Sequence, residues 1–165
     1  MSHEPDGFTL IEMVVVLALV ATLATLAVPG LQGRLVREQV VEAMRIADIA
    51  KPPVAGLWML AHTLPADNAA AALPVAEKIV GNHVESVRVE NGAIHVTFGN
   101  RANGAIQGKV LTLRPGVVDD APIVPVAWVC GHATAVEKMT AKGVDRTTVP
   151  PRYLPLNCLA PTSPK

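Results

Sequence analysis

One carboxylate, Glu12, stands at the edge of a long uncharged run: none of the nineteen residues from Met13 to Leu31 carries a charge. A helix of that length, rising about 1.5 Å per residue, reaches about 28 Å, enough to cross the hydrocarbon core of a bilayer. An ionisable side chain at such a place costs on the order of 2–3 kcal/mol on insertion scales, so it calls for a counter-charge or a function. The chemistry on offer is ion pairing rather than catalysis. Ser2, Ser86 and Ser163 are scattered, no nucleophile, base and orienting acid converge, and no glycine-rich loop is placed to cradle a phosphate. An enzyme is therefore not expected. His3, His62, His83, His95 and His132 form no cluster, so neither a metal site nor a cofactor is expected. Cys130 and Cys158 are far from any second metal ligand, and a disulfide is the simpler reading. It would close a loop of 27 intervening residues, worth roughly 3–4 kcal/mol in the chain-entropy model. Such a bond requires an oxidising compartment, which places this part of the chain outside the cytosol.

The composition joins two kinds of segment. Half of the 165 residues are hydrophobic, yet only 3% are aromatic, and 14 basic residues balance 14 acidic ones. That neutral balance argues against blanket phosphate neutralisation as the main work, because nucleic-acid binders of that kind carry a basic excess. The apolar excess is local. Beyond residue 31 the sequence has the charged, Gly- and Pro-punctuated texture of one domain, long enough for a single core.

A secretory signal peptide is opposed by Glu4 and Asp6, by the absence of Lys or Arg before Gly7, and by the length of the apolar run. A plain membrane anchor leaves Glu12 and the Gly7–Phe8 junction unexplained. The stretch Gly7-Phe8-Thr9-Leu10-Ile11-Glu12, followed by an apolar helix containing Pro29, resembles the N-terminus of type IV pilins. That resemblance implies cleavage between Gly7 and Phe8 by a prepilin peptidase, N-methylation of Phe8, and an assembly role for Glu12. The new Phe8 ammonium of one subunit and Glu12 of its neighbour would neutralise each other in a low-dielectric helical bundle. The leader departs from the usual pattern in having no basic residue.

The elements that must position these residues follow from periodicity. Pro29 and Gly30, with Gly33 beyond, predict a kink or local melting near the end of the apolar run, since proline removes a helical hydrogen bond. Leu35, Val36, Val40, Ala43, Met44 and Ala47 then recur at helical spacing, opposite Arg34, Arg37, Glu38, Glu42, Arg45 and Asp48. Arg34 with Glu38 and Glu42 with Arg45 are helix-neighbour pairs. The pattern continues through Val54, Leu57, Trp58 and Ala61, with a bend or restart at Pro52-Pro53, and a loop reaches Pro74. Val84, Val87 and Val89 lead into Asn91-Gly92, a type I′ turn signal, and Ile94, Val96 and Phe98 return. Lys109–Leu113 and Val124–Cys130 supply a third and a fourth strand of a meander. One face should bury Val87, Val89, Ile94, Val96, Leu111 or Leu113, and Trp128 against the helix, while the other stays polar.

The closing segment from Val149 to Cys158, rich in proline and containing Tyr153, again resembles type IVa pilins, whose C-terminal disulfide loop is similar. The expectation is an α+β fold: a long N-terminal helix packed on a four-stranded antiparallel sheet with a C-terminal disulfide loop. Residues 1–7 would be a leader, 8–31 a transmembrane and filament-core helix, and 32–165 a periplasmic or extracellular globular domain. By this resemblance the chain is a structural subunit that polymerises into a type IV pilus for adhesion, twitching motility or DNA uptake. It would reside in the inner membrane before assembly. The alternatives are a minor pilin or a DNA-receptor pilin, and behind them a type II secretion pseudopilin. The implied partners are other copies, prepilin peptidase, an inner-membrane assembly platform and other pilins. His132, Lys138, Lys142, Arg146 and Arg152, against Glu137 and Asp145, give a mild basic excess suited to a solvated rim or to weak contact with DNA or an anionic surface.

Overall fold

The computed structural model describes residues 7–161, with the side chains of residues 26–32 left out of the description. The expected leader thus lies outside the described residues except for Gly7, and so do the side chains of Pro29 and Gly30. The chain divides into two units, residues 1–35 and residues 36–165. Helix α1 runs over Leu10–Ala47. Its backbone is helical without a break through positions 29 and 30, where a kink or local melting is expected. Among the described residues no helix is long and apolar enough to cross a membrane. The described side chains of the apolar run stop at Thr25, within the expected 8–31 span.

In the second unit the chain turns at residues 48–50 and restarts as α2, Lys51–Ala61. Pro52 and Pro53 sit in its first turn, where their missing N–H groups have no helical acceptor to lose. The break expected at the two prolines is therefore a new helix beginning just before them. His62, in the left-handed region at φ 54°, ends α2 by returning its N–H to the Trp58 carbonyl at 3.0 Å.

Five strands follow: β1 Val84–Glu90, β2 Ala93–Phe98, β3 Val110–Val117, β4 Ala127–Cys130 and β5 Thr140–Ala141. The first four form the expected antiparallel meander, in the order β1-β2-β3-β4. Asn91 and Gly92 take φ of 48° and 81° at the β1–β2 turn, as a type I′ turn demands. Register settles the choice between Leu111 and Leu113. Ile94 pairs with Leu113 and Val96 with Leu111, so both leucines share the buried face. That face packs on Val36, Val40, Ala43 and Ala47 of α1 and on Val54 of α2, all essentially buried, and Trp128 is half-buried beside them. Each of the valines contributes about 1.5–3 kcal/mol by leaving water, and each alanine less. Leu35, expected on the apolar face, is instead exposed.

Two strand boundaries depart from expectation for reasons of proline chemistry. β4 is shorter than Val124–Cys130, because Pro125 cannot donate to a ladder and Val124 N–H closes a turn onto Ala121 O. β3 is longer, running through Pro115 and Gly116. The N–H that Pro115 lacks would face away from β4, on the side where its carbonyl accepts Lys142 N–H at 2.8 Å, so the β3–β4 ladder loses nothing. There β5 pairs with Gly116 and Val117, extending the row that β2 begins and adding a fifth strand to the sheet.

Candidate assembly site

Thr9 precedes α1, and its Oγ1 accepts the Glu12 N–H at 3.3 Å. This satisfies one of the first-turn amides that no helical carbonyl can reach. Glu12 lies in that first turn, where the positive end of the helix dipole favours a carboxylate. Its side chain is exposed and, among the described residues, joins no ion pair. Along the helix the apolar side chains Phe8, Leu10, Ile11, Val14, Leu17, Leu19 and Leu23 are exposed as well. The hydroxyls interspersed among them fold back. Thr22 Oγ1 donates to Ala18 O and Leu19 O, at 3.1 and 2.8 Å, and Thr25 Oγ1 to Thr22 O at 2.7 Å. A helix whose polar atoms satisfy one another in this way can enter an apolar environment cheaply. The arrangement is an apolar rod with one free carboxylate near its start.

Cys130, at the end of β4, is bonded to Cys158, with S–S 2.00 Å and Cα atoms 4.5 Å apart. The loop they close crosses the sheet's polar face and caps the edge of β3. Thr148 N–H donates to Val110 O, and the hydroxyls of Thr148 and Thr147 accept the N–H groups of Val110 and Thr112. Gly131, at φ 52°, lets the chain pass so close to Cys158 that a Cβ there would stand 2.8 Å from the Cys158 carbonyl. The second face of the sheet is polar as expected, but at its centre it is not solvated. Thr112 is 0% and His95 6% exposed, and the two are joined at 3.0 Å between Oγ1 and Nδ1. Burial pushes the His95 imidazole below its usual pKa; Arg146 and Arg88 add to this, while Glu90 and Asp145 oppose it.

The basic excess between the cysteines is largely neutralised within the fold. Lys142 meets Asp119 at 2.6 Å, Arg146 meets Glu90 at 2.5 Å, and His132 Nδ1 meets Asp145 at 2.8 Å. Burial would raise the Asp145 pKa, but the hydrogen bonds from Thr147 and His132 prevail and hold it below the usual range. Arg152 lies over the Tyr153 ring at 4.8 Å, and its carbonyl accepts the Arg37 guanidinium at 2.9 and 3.0 Å. The surface is a rim of ion pairs.

Residues 36–159 match the family model described as pilin, a bacterial filament protein, and residues 6–28 match that of the prokaryotic N-terminal methylation motif. The chain belongs to the pilin family. It is 35% identical over 165 residues to a type IV major pilin protein PilE1 of Neisseria gonorrhoeae, spanning 96% of this chain and 89% of that protein. It is 31% identical over 167 residues to a fimbrial protein of Neisseria meningitidis serogroup B, spanning 96% of each. With the fimbrial protein EcpC of Eikenella corrodens it shares 37% over 130 residues, 75% of this chain and 80% of that one.

In this pilin the sequence-derived site residues fall into two groups that lie in different units. Gly7, Phe8 and Glu12 gather at the start of α1, whereas Cys130 and Cys158 close the loop over the sheet. Two contributors escaped the sequence reading. Thr9 is the helix cap, and Thr9-x-x-Glu12 ahead of an apolar run was its readable signal. Asn68 has no such signal. Buried in the loop before β1, it donates from Nδ2 to Val87 O and Pro74 O at 3.0 and 2.9 Å and accepts Val89 N–H at 2.6 Å. Its amide stands in for a neighbouring strand and closes the outer edge of β1 against pairing with another chain. Glu42 also departs from expectation. Its carboxylate serves His83 Nδ1 and the Asn82 N–H rather than Arg45, tying α1 to the approach of β1.

Proposed function

We propose that this pilin is the structural subunit of a type IV pilus, held in the inner membrane by residues 8–31 until it is assembled and extracellular afterwards. The observation that carries the reading is the exposed apolar helix with one free carboxylate in its first turn, in a chain whose relatives are named type IV major pilins and fimbrial proteins. Prepilin peptidase cleaves between Gly7 and Phe8, and Phe8 is then N-methylated. The exposed ammonium lies four residues from Glu12, about one helical turn. Within one helix the two groups are near neighbours; between helices they can also pair, and the charges then lose less to desolvation than either would alone. Glu12 thereby sets the axial register of an incoming subunit on an assembly platform in the inner membrane. The apolar surface serves first lipid and then the helices of other copies. A kink at Pro29 and Gly30 lets the helix follow the curvature of that packing. Mass spectrometry of sheared surface filaments tests the proposal. The expected subunit begins at N-methylated Phe8 and carries the Cys130–Cys158 bond. Filaments containing an intact Met1, or none of this chain, would overturn it.

A further inference from the structure

The chain holds two Asn-Gly dipeptides, Asn91-Gly92 and Asn103-Gly104, in contrasting settings. The first is locked. Asn91 N–H donates to Ala66 O at 3.1 Å and Gly92 N–H to Pro65 O at 2.9 Å, while Gly92 is buried against Leu64. The second lies in the connection between β2 and β3 with both residues exposed. Gly104 N–H donates to no acceptor among the described residues, and the Asn103 side-chain Oδ1 accepts the Ala105 N–H at 2.9 Å. That bond folds the Asn103 amide back towards the following peptide and polarises the carbonyl under attack.

We infer that Asn103 is a site of spontaneous self-modification, converting through a cyclic imide to aspartate and isoaspartate, while Asn91 is protected by the fold. Gly104 N gives up its proton to solvent base and bonds to Asn103 Cγ. The tetrahedral adduct expels the side-chain nitrogen as ammonia, leaving a five-membered imide. Water then opens one of the two imide C–N bonds. Opening at Cγ yields aspartate with the chain unchanged, and opening at the Asn103 backbone carbonyl yields isoaspartate, with the chain running through Cβ and Cγ. The net change is one water consumed, one ammonia released and one carboxylate gained, with no oxidation or reduction. At Asn91 the same attack would require Gly92 to give up its bond to Pro65.

The consequence reaches the core. The Asn103 carbonyl accepts the N–H groups of Ile106 and Gln107 at 2.9 and 3.0 Å, and this turn seats the fully buried Ile106. Asn103 N–H is also held by Gln39 Oε1 on α1 at 2.9 Å. Isoaspartate turns that carbonyl into a branch carboxylate and inserts a methylene into the turn. A neutral chain thus acquires a negative charge with age at the β2–β3 connection.

The full chain in a nonionic detergent, folded or unfolded in denaturant with reductant, is incubated at mildly alkaline pH until the unfolded sample has converted at both sites, and peptides are read by mass spectrometry. The folded sample should show conversion at Asn103 and loss of it at Asn91. Conversion at neither site, at Asn91 first, or at both equally in the folded sample would overturn the inference. Gly104→Ala keeps the folding test clean, because a Cβ there meets nothing within 4 Å. It should slow conversion at Asn103 sharply without changing thermal unfolding, because the added methyl hinders the attacking nitrogen, and an unaltered rate would refute attack by the residue-104 nitrogen.

Discussion

The apolar residues of the first unit and those of the second have the same chemistry and opposite surroundings. Phe8 and Leu10 are 78% and 83% exposed, while Val40 and Val54 are 0% exposed. The second set is covered by the chain's own sheet, and its burial is part of the folding free energy of one molecule. The first set leaves an apolar surface far more continuous than a soluble monomer tolerates, so its burial belongs to an encounter with lipid or with other subunits. Folding and assembly therefore draw on separate residues, and substitutions should sort into those that spoil one and spare the other.

Glu12→Val should give the largest separation. The subunit inserts and its sheet folds, yet sheared filament yield collapses, since a loss of about 1.4 kcal/mol per contact already weakens association tenfold. Glu12→Gln keeps a polar first-turn side chain without the charge, so it distinguishes the helix cap from the ion pair. Normal filaments from Glu12→Val, measured by immunoblot of sheared material, would end the charge-pairing account.

The converse substitution is Cys130→Ala with Cys158→Ala. It should lower the stability of the second unit by about 3–4 kcal/mol, read by denaturant unfolding of the full chain in detergent. Helicity of the first unit should persist beyond that transition. A loss under about 1 kcal/mol would mean that the threonine contacts to β3 hold the loop without the bond.

Asn68→Ala should follow at about 2–3 kcal/mol, because it strands the buried Val89 N–H and Val87 carbonyl at the outer edge of β1. Its second readout is non-filament aggregation of the full chain, measured by light scattering. Thr9→Ala is smaller, about 1 kcal/mol of helix stability, visible as faster amide exchange in the first turn of α1.

The sheet was legible in the sequence where alternation and turn chemistry agree, as in the hairpin about Asn91-Gly92. It was illegible where tertiary contact decides. Pro115 sits inside β3 because its missing N–H faces the short β5 rather than β4, and nothing local announces that. Asn68 reads as one more loop asparagine until β1 is beside it. The disulfide pairing was legible because only two cysteines exist, but the polar cover its loop lays over His95 depends on where the loop returns. At the N-terminus the charge was visible because it interrupts an otherwise uniform pattern, while Thr9 went unread although its spacing to Glu12 carried the signal.

The finest test concerns pH, and it too should touch one unit only. Burial lowers the folded-state pKa of His95, so between its unfolded value, roughly 6.5, and that lower value the unfolded chain binds more protons than the folded one. Stability is then complete above about pH 6.5 and declines as pH falls from there towards the folded pKa of His95. Below that value the loss is full and no longer grows. The groups around the ring do not reverse this sign: Glu90 and Asp145 favour the imidazolium, and Arg146 and Arg88 oppose it. His95→Gln can keep a partner for Thr112 without titrating, so denaturant midpoints of this variant should stay flat across the window in which the parent declines. An equal decline in both would assign the acid sensitivity to a group other than His95, and not to Asp145, because the depressed pKa of Asp145 makes its contribution fade only as pH falls below the ordinary carboxylate range.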